Sequence, residues 1–271
     1  MLRVWVVANS AAHSLLLWRN IMNNNLKISL IVVGAGGTGT YFLKEVSRYL
    51  AAADKGKIAR MLIVDGDIVE RKNLSRQAFT SDDIGRNKAE VMAEVLNECF
   101  DLKWQACSDY LVDLEQLTPF VASKSIPVVI GCIDNHGARL LLEEFFKSQK
   151  TCIYMDAANE FHSGECVFSA KVEGTVYSPC RSYFFPDMLD GDTRGRSEIS
   201  CEELNNSAPQ HILANMASGL QLLSAFISFY EDATVTCGYS VYDPFRNFSK
   251  FYKAEDCKWV PLKEEVAEDG K

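Results

Sequence analysis

Six residues, Gly34-Ala35-Gly36-Gly37-Thr38-Gly39, constrain this chain more than any other segment. They follow an apolar run, Ile28-Ser29-Leu30-Ile31-Val32-Val33, and precede a stretch with apolar residues at 42, 43, 46, 49 and 50. The run has the length and β-branched content of a buried strand. The stretch has the 3.6-residue period of an amphipathic helix, read over Thr40 to Ala53. A G-x-G-x-x-G turn between such elements lets backbone approach a phosphate closely and aims the free N–H groups of the helix N-terminus at it. Asp65 closes the next apolar run, Met61-Leu62-Ile63-Val64, where a carboxylate can accept hydrogen bonds from ribose hydroxyls. Gly34, Gly36, Gly37, Gly39 and Asp65 are therefore candidate nucleotide-binding residues. Alone they fit ATP, NAD or FAD equally, and a Gly-rich turn that binds nothing is the plain structural alternative.

Strand and helix patterns alternate onward from there. A helix beginning near Gly85 and running through Lys88 to Phe100 has Asp82 or Asp83 as its expected cap. Strands are expected over Lys103 to Cys107, Pro127 to Ile133 and Cys152 to Asp156, with a helix from Ala138 to Phe146. This succession predicts an α/β fold with a Rossmann-type, doubly wound, mainly parallel sheet, whose ligands bind outside the carboxyl ends of the strands. After residue 160 the pattern changes. Glu165 to Val172 reads as a strand, 173–209 as irregular, Gln210 to Tyr230 as a long apolar helix, and Val235 to Tyr242 with Phe248 to Tyr252 as a hairpin. The expected organisation is an N-terminal strand and helix extension (1–26), a nucleotide-binding domain (27–160), a smaller mixed α/β part continuing the sheet and docking the substrate (161–260), and a charged tail (261–271).

Among 271 residues the net charge is -8, which argues against a general nucleic-acid binder. No uninterrupted apolar run approaches the ~18 residues of a membrane span, and neither a span nor a signal peptide is expected. The nine cysteines are odd in number and include no C-x-x-C pair, which predicts a reducing, cytoplasmic setting.

The segment after the second strand separates ATP from the dinucleotides. Asn73 can bond phosphate oxygens, Arg76 can grip them in bidentate fashion, and Lys88 can add a point charge. Hydride transfer needs no such set. The order Asp65-x-Asp67-x-Val69-Glu70-x-x-Asn73-Leu74-x-Arg76-Gln77, then Asp83-Ile84-Gly85-x-x-Lys88-Ala89-Glu90, then Cys132-Ile133-Asp134-Asn135 with Arg139, resembles the motifs of the ThiF/MoeB family and of the adenylation domains of ubiquitin-activating enzymes. The resemblance implies that Asp65 binds ribose, that Asn73, Arg76 and Lys88 bind phosphates, and that Asp134 holds a catalytic Mg2+. Asp67, Gln77 and Asn135 lie inside the same motifs and complete the candidate set. It further implies ATP-dependent adenylation of a carboxylate, foremost the C-terminal glycine of a ubiquitin-like or sulfur-carrier protein, with pyrophosphate released, and a homodimer.

In the resembled family the acyl group often passes to a cysteine in a loop before a long helix. Cys201, in Ser200-Cys201-Glu202-Glu203, occupies that place, although the two glutamates would raise its pKa. Relatives also bind structural zinc through two C-x-x-C pairs. Here Cys180 and Cys257 keep one sulfur of each, short of the four ligands a closed zinc site uses, so zinc is not expected. Three other functions stay open on the residues: adenylation of a small-molecule, peptide or tRNA-linked carboxylate, an NAD- or FAD-dependent oxidoreductase, and a non-catalytic nucleotide-binding partner.

Overall fold

A computed structural model of the chain describes residues 27–53, 55–190, 210–260 and 262–263. Cys201, the 1–26 extension and residues 264–271 of the tail lie outside the described residues. The strands are β1 (Lys27–Val33), β2 (Ile58–Val64), β3 (Trp104–Cys107), β4 (Ser125–Gly131), β5 (Cys152–Asn159), β6 (Gly164–Val172), β7 (Thr175–Ser178), β8 (Gly238–Asp243), β9 (Phe248–Lys253) and β10 (Leu262–Lys263). The α-helices are α1 (Gly37–Ala52), α2 (Lys88–Phe100), α3 (His136–Ser148), the one-turn α4 (Arg181–Phe184) and α5 (Ile212–Asp232).

Strands β3, β2, β1, β4 and β5 lie side by side in that order and are parallel. This is the doubly wound arrangement, and its strand order reverses between β1 and β4. Beyond β5 the sheet continues antiparallel. The first half of β6 pairs with β8, the second half with β7, and β9 extends the β8 edge. The mixed C-terminal part therefore adds strands to the same sheet.

Alternation along β1 shows how the layers form. Ile28, Leu30 and Val32 face a core built with α1, α2 and α5, whereas Ile31 and Val33 face a second core built with α3. Both faces of the strand are covered, which is why it reads as a continuous apolar run. α5 is long and apolar enough to span a bilayer, yet it packs on α1, β5 and β6 and buries Leu222, Phe226 and Phe229 completely. It is a core helix.

Two local expectations are corrected. α2 starts at Lys88, not near Gly85, and its cap is Asn87, whose side chain accepts the Glu90 N–H at 3.1 Å. Asp83 instead closes the preceding 3-10 turn, accepting from the Thr80 N–H and hydroxyl at 2.8 and 2.9 Å. Gly85, at φ +88, ends that turn in a left-handed conformation that a helix start does not use. The stretch expected to be irregular holds β7 and α4, both too short to show periodicity.

Around the two leftover cysteines the chain is held by rings. Tyr183 donates its hydroxyl to the Cys257 carbonyl at 3.2 Å and packs edge-on to Trp259 at 4.9 Å. Phe184 continues the cluster to Tyr239, which stacks on Tyr252 at 4.9 Å. Cys180 is buried beneath, its thiol pushed up by burial. Trp259→Ala is expected to cost about 1–2 kcal/mol, less than a fully buried Trp because the ring is partly exposed. A strong zinc chelator is expected to leave the thermal unfolding curve unchanged; a chelator-induced drop in Tm would contradict this.

Candidate functional site

The carboxyl ends of β1, β2, β4 and β5 open into one cleft beside the point where the strand order reverses. Gly34, Gly36, Gly37, Asp65, Asp67, Asn73, Arg76, Gln77, Lys88, Asp134 and Asn135 all line it. Thus eleven of the thirteen candidate residues converge. Gly39 does not line the cleft but packs behind it, and Cys201 is outside the described residues.

The glycines have separate reasons. Gly34 has φ +97, and a Cβ there would collide with the Cys132 carbonyl of the neighbouring strand end. At Gly39 a Cβ would collide with the carbonyl of Gly34. Gly36 differs: a Cβ there would meet only the Gln77 Nε2, at 3.7 Å, so its open side faces the cleft. No side chain caps α1 at Gly36, so the N–H groups of its first turn remain available to an anion.

Asp65 is the hub of the acidic side. Its carboxylate accepts from the Ala35 N–H at 2.6 Å and the Asp67 N–H at 2.8 Å, tying the glycine turn to the end of β2. Burial raises its pKa, and the Asp67 charge adds to the rise; Lys88 and the two N–H groups oppose it. Asp67 in turn accepts from Lys88 Nζ at 2.9 Å and from the Tyr110 hydroxyl at 2.7 Å. Lys88 is only 5% exposed, and Asp67 is the carboxylate that pairs with it there. The resemblance implies that Lys88 binds phosphate; in this structure Asp67 holds it at the cleft wall.

Asn73 is buried in a 3-10 turn, where its side-chain oxygen accepts the Glu70 N–H at 2.8 Å. Arg76, half-buried, follows one turn later. The Oε1 of Gln77 is buried with no hydrogen-bond partner among the described residues, a cost that a ligand donor would relieve. At the end of β4 the cap of α3 is Asn135, which accepts the Ala138 N–H at 2.8 Å. The cap position is thus taken by Asn135, and Asp134 presents an exposed side chain at the cleft.

Arg139 lies behind this loop. It donates to the Ile133 carbonyl at 2.6 Å, to the Ala157 carbonyl at 3.1 Å and to Asp156 at 3.2 Å. Arg181, from α4, grips the other oxygen of Asp156 and reaches Glu165 at 2.7 Å. Asp156, Arg139 and Arg181 are each less than 5% exposed. Arg181 stays charged despite burial because Asp156 and Glu165 more than offset the desolvation. This buried network locks the Asp134 loop to β5 and β6.

Several cleft residues were not visible in the sequence. Tyr110 braces Asp67, Lys72 and Gln210 line the rim, and Asn159 ends β5. The Asn159 amide donates to Thr38 Oγ1 at 2.8 Å and to Asn215 Oδ1 at 3.0 Å, joining the start of α1 to α5. A longer reading of the β5 run would have found Asn159, since a polar residue at the carboxyl end of a parallel strand falls at the ligand crevice.

Four carboxylates (Asp65, Asp67, Glu70, Asp134) and three cations (Lys72, Arg76, Lys88) line the cleft. A triphosphate of roughly four negative charges would not be neutralised by that set without an added cation. Among the described residues no group of three or more His, Cys, Asp or Glu could hold a metal alone. That donor set fits Mg2+, which uses one or two carboxylates and completes its shell with phosphates and water.

Fold and cleft together define a Rossmann-type α/β protein with a glycine turn lining the cleft at the strand-order reversal. The chain belongs to the ThiF family, whose pattern matches residues 18–255. It is similar to the SAMP-activating enzyme E1 of Haloferax volcanii, 34% identical over 62% of this chain and 57% of that protein. It is also similar to a probable molybdopterin-synthase adenylyltransferase of Porphyra purpurea, 32% identical over 73% of this chain and 47% of that protein. The adenylyltransferase and sulfurtransferase UBA4 of Scheffersomyces stipitis is 27% identical over 74% of this chain and 42% of that protein. The chain thus spans about half the length of these curated relatives. Among solved structures, Escherichia coli MccB with ATP superposes with a TM-score of 0.59 at 16% identity, covering 88% of this chain and 66% of that one, a likeness of fold.

Proposed function

We propose that this protein activates a carboxylate with ATP, forming an acyl adenylate and releasing pyrophosphate. The observation that carries the reading is the convergence of Gly36, Asn73, Arg76, Lys88 and Asp134 on one cleft at the strand-order reversal. The carboxylate oxygen attacks the α-phosphorus, and the bond to the bridging oxygen of the pyrophosphate breaks. A carboxylate is already ionised near pH 7, so the attack needs no general base. What the chain must supply is position and charge. The glycine turn and the start of α1 seat phosphate oxygens, Arg76 and Asn73 hold them from the facing loop, and Lys88 adds charge from the wall. Mg2+, held by Asp134, would neutralise phosphate charge when bound.

The substrate carboxylate we assign is the C-terminal glycine of a ubiquitin-like or sulfur-carrier protein, supported by the names of the curated relatives. Residues 27–160 would carry the nucleotide chemistry and 161–260 would dock the carrier. Onward transfer to a thiol, with Cys201 as acceptor, is part of the same reading. So are a homodimer, which the exposed Leu213, Met216 and Leu220 of α5 would suit, and a cytoplasmic location.

ATP–pyrophosphate exchange with Mg2+, with and without candidate carriers, tests the reading, together with mass spectrometry of the carrier. Exchange that requires a carrier, and a carrier mass increased by AMP, are expected. Exchange with free small acids alone would move the assignment to a small-molecule carboxylate, and ATP binding without exchange under any substrate would end the enzymatic reading.

Asp65 makes a pH prediction. Its pKa is raised in the folded protein, so its buried charge costs stability at neutral pH and the cost is relieved as pH falls through the raised value. Protonation also removes the ionised acceptor for ribose. ATP affinity is therefore expected to fall on acidification at a higher pH than an ordinary aspartate would dictate, in calorimetric titrations from pH 7 downward. Asp65→Asn should bind ATP weakly with a flatter pH profile; an unchanged profile would remove Asp65 from the ribose site.

A further inference from the structure

The rim of the cleft carries an ion pair that the proposed reaction leaves unused. Lys72 and Glu70 both line the cleft, and Lys72 Nζ lies 2.8 Å from Glu70 Oε2. Their side chains are 57% and 51% exposed. The backbone beneath is fixed: both residues belong to the 3-10 turn Arg71–Asn73 or its cap, and buried Asn73 accepts the Glu70 N–H. The two charges therefore sit on a rigid turn, at the ends of side chains that can rotate.

An exposed pair of this kind contributes little on its own. Lysine carries a compact ammonium on a flexible stem, with three donors and no fixed fork to lose. Lys72 can therefore change partner at small cost. Lys88 is less free to do so, because it is only 5% exposed and paired with Asp67 at 2.9 Å. An entering triphosphate adds to a shortage of cations, since four carboxylates already face three cations in the cleft, and Lys72 is the exposed one of the three. On the proposed placement of the α-phosphate at the Gly36 turn and the ribose at Asp65, the loop that carries Asn73 and Arg76 is the cationic part of the cleft left for the β- and γ-phosphates. Lys72 stands on that loop, next to Asn73.

Resting on the ATP reading above, we infer that Lys72 is a ligand of the pyrophosphate portion of bound ATP. Glu70 holds it at the rim of the empty cleft and competes with the nucleotide for it. Lys72 then offsets the charge of the leaving pyrophosphate, and Glu70 sets how tightly the triphosphate is held.

Calorimetric binding of ATP and AMP at about 0.15 M ionic strength, where exposed charges are largely screened beyond ~8 Å, tests this on wild type, Lys72→Ala, Glu70→Gln and the double variant. Glutamine keeps the acceptor oxygen that residue 70 offers to the turn, and melting curves establish that each variant is folded. Lys72→Ala is expected to weaken ATP by about tenfold, the loss of one charge-assisted contact, and to leave AMP within about twofold. Glu70→Gln is expected to tighten ATP about two- to fivefold, the release of an exposed pair. In the Lys72→Ala background Glu70→Gln should add nothing. A purely structural pair would shift both single variants the same way and would affect AMP as much as ATP. Unchanged ATP affinity in Lys72→Ala, equal loss for AMP, or tightening by Glu70→Gln without Lys72 would each overturn the inference. If wild type binds no ATP, the functional reading itself falls; if it binds and Lys72→Ala matches it, only this inference falls.

Discussion

Asp134→Ala and Arg76→Ala are each expected to lower carrier-dependent ATP–pyrophosphate exchange by about 100-fold or more, the loss seen when one preorganised charge contact is removed from a reacting centre. The two variants should differ in how they fail. Asp134 is exposed at the cleft, and the cap of α3 is its neighbour Asn135. Its loss should leave the melting curve unchanged and should be partly restored by raising Mg2+, if its role is to hold the ion. Arg76 has no such rescue, since a guanidinium aimed at phosphate is not replaced by more metal. Asn135→Ala is the contrasting control. It removes the cap and should cost about 1 kcal/mol of stability. Wild-type exchange in Asp134→Ala at limiting Mg2+ would show that this carboxylate does not hold the metal. Loss of folding in Asp134→Ala would show that its role is structural.

The largest expected effect on stability is at Asp156, which does not line the cleft. Asp156→Ala leaves Arg139 and Arg181 buried without the carboxylate that both share. Removing one member of a buried ion network costs about 3–5 kcal/mol, because the remaining charge keeps its desolvation cost. In a chain of this size that lowers Tm by roughly 10 °C. Arg181 still has Glu165, so Arg139 is the more exposed to the loss. Thermal and urea unfolding measure the effect. Asp156→Asn separates charge from packing: it keeps the size and one acceptor, and it should still be strongly destabilising. If Asp156→Asn unfolds like wild type, the charge on Asp156 is not what holds the network. Exchange activity should fall in proportion to the unfolded fraction and further, since Arg139 also fixes the Ile133 carbonyl beside Asp134.

Much of the nucleotide half was legible because its signals are local. The β1 run, the glycine turn and the α1 period lie within 26 consecutive residues, and each is a property of neighbours along the chain. The same holds for the loop from Asp65 to Gln77, where the spacing of Asn73 and Arg76 is that of successive turns. The misreadings were also local in kind. Asp83 and Asn87 are both good caps by type, and choosing between them required the left-handed Gly85. Asp134 and Asn135 are likewise equivalent as caps in a sequence; both line the cleft, and it is Asn135 that caps α3.

By itself, then, the sequence determined the strand–turn–helix unit, the doubly wound class, and the set of polar residues at strand ends, because backbone periodicity and turn geometry are decided over a few residues. Only the tertiary structure decided which partner each buried polar group has. Asp156 meets Arg181 across 25 residues, Asn159 meets Thr38 across 121, and Tyr110 meets Asp67 across 43. A buried donor or acceptor must be satisfied somewhere, but where depends on which strands lie adjacent and which helix covers them. That order is set by the packing of the whole chain.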